Sequence, residues 1–440
     1  MPFLSYHWVG SRKTLEVDVE EAIQTRRKFH SRPEEGWTEF ETSYLVADRL
    51  KTLGWKVAVG LDVIDAEAVL GRDPELVQKA MKRAASQGVP AEFLERTNGY
   101  TGVIGTFDTG RKGPKTAFRF DMDCVQVQES NDENHLPVKE GFASQIPGLM
   151  HACGHDGHTA LGLSLARWIG ENKDELCGSF VLIFQPAEEG TRGAAPIAAK
   201  GWVDDVDYFF AGHCGMYCQK GEIGICSGGF FATSKLDIRF TGVPSHAGAF
   251  PERGRSALSA ACSAVMMMQG ISRTSQGDSR ISIGKLTAGE GRNVTPVHAL
   301  IQLETRGETE EVNEFLVNNV RNIVKGAAEA YETKYEIKIV GHATSLMTTP
   351  KGVELLKKTA SLVEGYGKVR TFDRVGGSED ATVLFKRAVE HGADGAFFMW
   401  GVNNQGHHKP DFDLQDVETM PPAILFCQNL VKQTNGINKN

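Results

Sequence analysis

No basic block interrupts this chain: 48 Lys and Arg stand against 56 Asp and Glu, a formal net charge of −8. A nucleic-acid partner, which needs a positive stripe to meet phosphates, is therefore not expected. Long apolar runs are missing too. Residues 179–184 and 396–400 are among the longest, far short of the ~18 residues that announce a membrane span. The opening stretch MPFLSYHWVGSRK lacks the apolar core and cleavage site of a secretory leader. Cysteine is sparse, 8 in 440 residues, too few for a disulfide scaffold. Reduced thiols in the cytoplasm are the expectation.

What is present reads as a folded protein: 41% hydrophobic and 24% charged residues, with length for two or three units at roughly 100–200 residues each. The opening segment reads as helices, with Phe40, Tyr44 and Ala47 on one face and Gly54 as a stop. Residues 61–97 are rich in charge and Ala and are expected to form a helical insertion. Short strands are expected at 102–107, 116–120, 179–184, 208–212 and 396–400, and a helix at 158–168. Residues 230–344 have a different rhythm: strand 231–240, helix 255–271, strands 280–286 and 297–305, helix 310–331, strand 335–340. That β-α-β-β-α-β order is ferredoxin-like. The expected organisation is one α/β domain in two parts, 1–229 and 345–440, with an α+β unit, 230–344, inserted between them.

The chemistry-bearing residues cluster where the expected strands end. Asp121-Met122-Asp123 follows one strand and Glu188-Glu189 another; His213 follows a third and His407-His408 a fourth. In open α/β sheets, ligands sit beyond the carboxyl ends of strands. The segment MHACGHDGH puts Cys153 and His155, separated by one glycine, beside His151, Asp156 and His158. A thiolate and an imidazole so spaced can face one cation across a turn. Adjacent carboxylates at 188 and 189 point apart, so one can bind a metal while the other moves protons. Each signal has a bland reading: a polar loop with Asp156 as helix cap, an exposed acidic turn, a structural histidine, a solvent loop over 401–406. Their joint placement after strands favours a site. Borderline divalent ions such as Zn²⁺, Mn²⁺ or Ni²⁺ suit such donors.

In order along the chain, MHACGHDGHTA, FQPAEEGTRGA, HAGAFPE, GRNVTP, GSEDAT and GHHKPDF resemble the aminoacylase/carboxypeptidase-like metallohydrolases. The likeness covers nearly the whole chain. RFDMD, EGFASQIPGLMHACGH, the 61–97 insertion and GWVDDVDYF resemble more closely the branch that forms one subunit of an aminobenzoyl-glutamate hydrolase. The resemblance implies an α/β, di-metal peptidase-like catalytic domain with a central mixed sheet, plus an inserted ferredoxin-like lid and dimerisation domain. It implies that Cys153, His155, Glu189, His213 and His408 hold two divalent ions, Mn²⁺ or Zn²⁺, and that Glu188 is the acid/base. His246 matches a lid histidine that reaches an active site, and Asn293, Arg306, Gly377 and Ser378 match substrate contacts. Two features depart from the family pattern. Cys124-Val125-Gln126 follows the DMD, where the family commonly has ALP. His407 precedes His408, the latter being chosen by its spacing to Pro410 and Phe412. The expected function is hydrolysis of an N-acyl amino acid by a homodimer paired through the lid, and the resemblance implies a second, paralogous chain as well. The alternatives are a general aminoacylase or dipeptidase and a non-catalytic member of a heteromeric hydrolase. An intact Glu188 and a full ligand set argue against the second. A structural-zinc module is set aside, because such sites are closed by Cys and His alone.

Overall fold

The computed structural model describes residues 12–403 and 406–437. The larger sheet contains β1 (Lys56–Val59), β2 (Val103–Asp108), β3 (Lys115–Asp121), β4 (Ser179–Gln185), β5 (Tyr208–Cys214) and β6 (Glu222–Cys226), joined by β11 (Lys368–Phe372) and β12 (Asp394–Trp400). The smaller holds β7 (Ala232–Thr241), β8 (Ser279–Ala288), β9 (His298–Gly307) and β10 (Lys334–Ala343).

The larger sheet runs β1-β2-β4-β3-β5-β12-β6-β11. Its four central strands, β4, β3, β5 and β12, are mutually parallel, while β1, β2 and β6 enter antiparallel, so the sheet is mixed. The central four are buried along almost their whole length. That is why they read as continuous apolar runs rather than alternations. Helices Arg12–His30, His155–Glu171 and Asp416–Asn435 pack together on this sheet, with Ala381–Glu390 against β5 and β12. Gly162 lets His155–Glu171 lie close: a Cβ there would come within 2.6 Å of the Phe120 ring and 2.7 Å of Phe184.

The smaller sheet is wholly antiparallel, in the order β10-β7-β9-β8. With helices Ala257–Met268 and Glu310–Ala330 it encloses its own core of Leu236, Ile238, Ile301, Val320 and neighbours. This is the ferredoxin-like arrangement expected from the element order. It rests on the larger unit beside the carboxylate turn that follows β4: the His342 N–H donates to Thr191 O at 2.7 Å, and a Cβ at Gly341 would strike Gly190 O.

Within 61–97 the helices are Pro74–Ser86 and Ala91–Thr97, the first capped by Asp73, which accepts from Glu75 N and Leu76 N. The helix expected at 158–168 starts at His155. Gly154, at φ 84°, turns the chain straight from Cys153 into the helix, so Asp156 is not its cap. Asp156 instead pairs with buried Arg26 and with His30, each at 2.8 Å. His213 lies inside β5 rather than beyond it, because β12 continues alongside and pairs Met399 with it. Short β1, β6 and β11 leave no signal in the sequence; four- and five-residue strands carry too little periodicity to register. In the 401–406 turn, residues 404 and 405 lie outside the described residues.

Arg119, fully buried on β3, joins the strand ends. Its guanidinium donates to Gln185 at 2.8 Å, Asp121 at 2.6 Å, Glu379 at 2.9 Å and Asp380 at 3.0 Å. Arg119→Met keeps the length and leaves buried carboxylates uncompensated. It is expected to cost about 3–5 kcal/mol, the scale for breaking a buried ion pair from one side. Urea unfolding of the variant against the parent checks this.

Candidate metal centre

The turn before helix His155–Glu171 supplies Cys153 and His155. The turn after β4 supplies Glu188 and Glu189, the end of β5 supplies His213, and the loop after β12 supplies His408. The ligand atoms of Cys153, His155 and His213 lie within 4.8 Å of one another, as do those of Cys153, Glu189 and His408, and those of His155, Glu188 and Glu189. The triads share members, so they form one continuous cluster with room for paired cations. Cys153 Sγ is 3.4 Å from His213 Nε2, and His408 Nε2 is 3.0 Å from Glu189 Oε1. His408 is seated by its own backbone at φ 61°, its N–H donating to Ala152 O at 2.8 Å.

The surroundings set the tautomers. His213 Nδ1 lies 2.7 Å from the carbonyl of Cys214, so it carries the proton and leaves the Nε2 lone pair facing Cys153. His155 Nδ1 lies 3.2 Å from Asp123 Oδ1, and its Nε2 is buried with no hydrogen-bond partner. Metal-binding histidines characteristically donate their other nitrogen to a carboxylate or carbonyl. His158 differs. Its Nδ1 is bonded to Asp121 and its Nε2 accepts the Cys214 N–H at 3.1 Å, so both nitrogens are used.

Electrostatics point the same way. Burial alone would lower the His155 pKa, but Asp121 and Asp123 outweigh it and raise it to about 10. Burial, together with the neighbouring His158 and His407, pushes His213 well down, keeping it neutral. Burial and the carboxylates of Glu379, Glu189 and Asp380 push Glu188 up, against the pull of Arg119. The pocket therefore has an excess of negative charge that calls for cations. The orphaned His155 nitrogen and the thiol, imidazole and carboxylate donors fit divalent ions of the borderline class.

The sequence marks Asp123 only as part of a metal-capable cluster, with no role of its own. Besides His155, it receives the Glu188 N–H at 3.1 Å and the Glu189 N–H at 2.9 Å, one on each oxygen. Glu39, which no sequence motif marks, accepts the Ala187 N–H at 2.7 Å and Thr101 Oγ1 at 2.6 Å. Ala187 and Thr191, at φ 50° and 57°, bracket this turn in a backbone region that costs ordinary residues energy. Such partners come from distant segments and leave no local pattern.

The other expected site residues lie apart from this cluster. His246 and Asn293 sit together in exposed loops of the smaller unit, where the Ala247 N–H donates to Asn293 O at 3.2 Å. Arg306 lines a cavity of about 750 Å³ between the two sheets, with Tyr217, Val375 and Gly376 opposite. Its guanidinium is held by Glu304 through Nε at 2.9 Å and Nη2 at 3.3 Å. Gly377 O and Ser378 Oγ, next to that cavity, bond the backbone of Phe231, each at 2.8 Å.

Comparison with known proteins places this geometry in a class. The model of peptidase family M20/M25/M40 matches residues 117–433, and the chain belongs to that family; it is a hydrolase acting on amide bonds. It is 41% identical over 420 residues to a homolog, from Haemophilus influenzae, of one subunit of p-aminobenzoyl-glutamate hydrolase, covering 95% of this chain and 99% of that one. To the indole-3-acetyl-aspartic acid hydrolase of Enterobacter agglomerans it is 44% identical over 417 residues, covering 92% and 95%. The crystal structure of an aminobenzoyl-glutamate utilization protein from Klebsiella pneumoniae superposes with a TM-score of 0.81 at 38% identity, over 96% of this chain and 97% of that one. Among the described residues, no helix is long and apolar enough to cross a membrane.

Asp123→Asn keeps the shape but removes the charge that orients His155 and both turn amides. Metal affinity is expected to fall ~10–100-fold, the usual effect of losing such a supporting carboxylate. Competition titration against a chromophoric chelator measures it, and an unchanged circular dichroism spectrum shows the fold retained.

Proposed function

We propose that this chain hydrolyses the amide of an N-acyl amino acid of the aminobenzoyl-glutamate or indole-acetyl-aspartate type. Cys153, His155, Glu189, His213 and His408 hold two divalent ions, Mn²⁺ or Zn²⁺. Ions so held supply Lewis acidity toward a carbonyl oxygen and toward water. The observation that carries the reading is Glu188: a buried carboxylate 4.0 Å from the unpartnered His155 Nε2 and adjacent to Glu189, which is occupied by His408. Glu188 takes a proton from the attacking water as the C–O bond forms and delivers it to the leaving nitrogen as the C–N bond breaks. Cations in the site favour its carboxylate form, offsetting the burial that raises its pKa. Arg306, with Nη1 left over from its pairing with Glu304, takes the substrate α-carboxylate. Gly377, Ser378 and Asn293 complete the wall.

His246 donates a hydrogen bond to the oxyanion. Its Nδ1 accepts the N–H groups of Gly248 at 3.2 Å and Ala249 at 3.1 Å, which puts its proton on Nε2 and makes that nitrogen a donor. Because His246 sits in the smaller unit's exposed loop, it serves the site of a second copy, joined through the lid, residues 230–344. Met266 and Met267, 72% and 44% exposed on helix Ala257–Met268, support that pairing. All eight cysteines are free, in keeping with a reducing cytoplasm. That the Haemophilus influenzae relative is named for one subunit of its hydrolase supports a paralogous partner too.

Glu188→Gln is expected to retain two bound metals and lose turnover by at least ~100-fold. Metal analysis with amine release from a panel of N-acyl amino acids tests both halves. Near-normal turnover, or active protein without metal, would refute the reading. For His246, mixing His246→Ala chains with Glu188→Gln chains is expected to restore part of the activity in reassembled heterodimers. Heterodimers as inactive as either parent would place His246 outside the neighbour's site.

A further inference from the structure

The cavity between the two sheets carries more positive charge than one α-carboxylate needs. Arg280 on β8 lies directly opposite Arg306 on β9 in the strand register. Directly opposed residues have Cβ atoms only about 5 Å apart, and like charges so placed repel. Glu304, the acidic residue lining this cavity, is shared between Arg306 and Lys235, the latter at 3.2 Å. Nearby guanidiniums are also engaged: Arg374 pairs with Asp278, and Arg370 with Glu222. Arg280 has no carboxylate partner among the described residues.

Arg280 is nevertheless positioned. Its guanidinium lies over the Phe231 ring, 5.0 Å from the centroid. Phe231 is itself buried and tied through both backbone groups to Gly377 and Ser378. That segment runs straight into Glu379 and Asp380, which hold Arg119 behind Glu188. On the other wall, Tyr217 follows His213 by a few residues and is fixed by its hydroxyl to Val375 O at 2.7 Å. The cavity is thus joined on two sides to the segments that build the metal centre, and its volume of about 750 Å³ admits a small molecule.

We propose that Arg280 is a specificity-determining residue that receives the side-chain carboxylate of an acidic amino acid, while Arg306 receives the α-carboxylate. The inference rests on the N-acyl amino acid reading above and adds the side-chain class. A dicarboxylate bridging the two guanidiniums would relieve their repulsion and supply the anion that Arg280 lacks. Arg280 takes the outer group because it lies on the edge strand β8 and is exposed, whereas Arg306 is on the inner strand β9, half-buried.

The test compares metal-loaded parent and Arg280→Gln enzymes on two matched substrates, an N-acyl-glutamate and the N-acyl-glutamine. These differ only in the side-chain charge. The parent is expected to favour glutamate, and the variant to lose ~10–100-fold of that preference in kcat/KM, the scale of a charge-assisted hydrogen bond. Arg280→Lys is expected to recover part of it. Calorimetric binding of the same pair to Glu188→Gln protein, with and without Arg280→Gln, reads the preference independently of turnover. An equal loss for both substrates, or no preference in the parent by either method, overturns the proposal. Preference in binding without turnover of either substrate would sustain the seat and defeat the hydrolase reading.

Discussion

Arg119 is the charge around which the catalytic face is assembled. Four acceptors from three parts of the chain converge on its guanidinium: Asp121 at the end of β3, Gln185 at the end of β4, and Glu379 and Asp380 ahead of helix Ala381–Glu390. Each acceptor then carries a further element. Asp121 fixes His158, and Asp380 receives the backbone N–H groups of Gly193 and Ala194, both at 3.0 Å. A buried charge is tolerated only when it is paired and hydrogen-bonded. The requirement works in both directions here, since neither the guanidinium nor the carboxylates could stay buried without the other.

Arg26 plays the matching part on the helical side. Fully buried, it pairs with Asp156 at 2.8 Å, Asp413 at 3.3 Å and Asp416 at 3.2 Å. Asp156 is the residue after His155, and Asp413 follows His408 by a few residues. Two of the cluster's turns are thereby clamped to helix Arg12–His30. His30 continues this network to Glu129 at 2.9 Å, and Glu129 binds His135 at 3.0 Å. Between these two arginines lies a pocket whose own charges are mostly negative, and that imbalance makes it a place for cations rather than a neutral core.

The inserted unit contributes differently. Its core is separate, so it holds its shape without the catalytic sheet. Its attachments are few and polar: His342 on Thr191, Lys386 to Glu310 at 2.6 Å, and Arg374 to Asp278. Polar attachments of that kind can be exchanged at low cost. They suit a unit that closes over a substrate, and the cavity at Arg280 and Arg306 lies in the seam between the two units.

Much of this was legible in the residues themselves. The buried parallel strands announce themselves as apolar runs, and the ferredoxin-like unit by the order of its alternations. The donors Cys153, His155, Glu189, His213 and His408 stand where those runs end, because a sheet delivers whatever follows its strands to one edge. What only the tertiary structure decided is pairing. Arg119 meets Glu379 across 260 residues of chain, and Asp123 meets the Glu188-Glu189 amides from a different strand. His213 and His155 take their tautomers from a carbonyl and a carboxylate, and Arg306 turns out to be shared with Glu304. Periodicity records whether a side chain is inside, since burial follows the local repeat. It does not record which partner satisfies a buried polar atom, since that partner is chosen by packing between segments far apart in sequence.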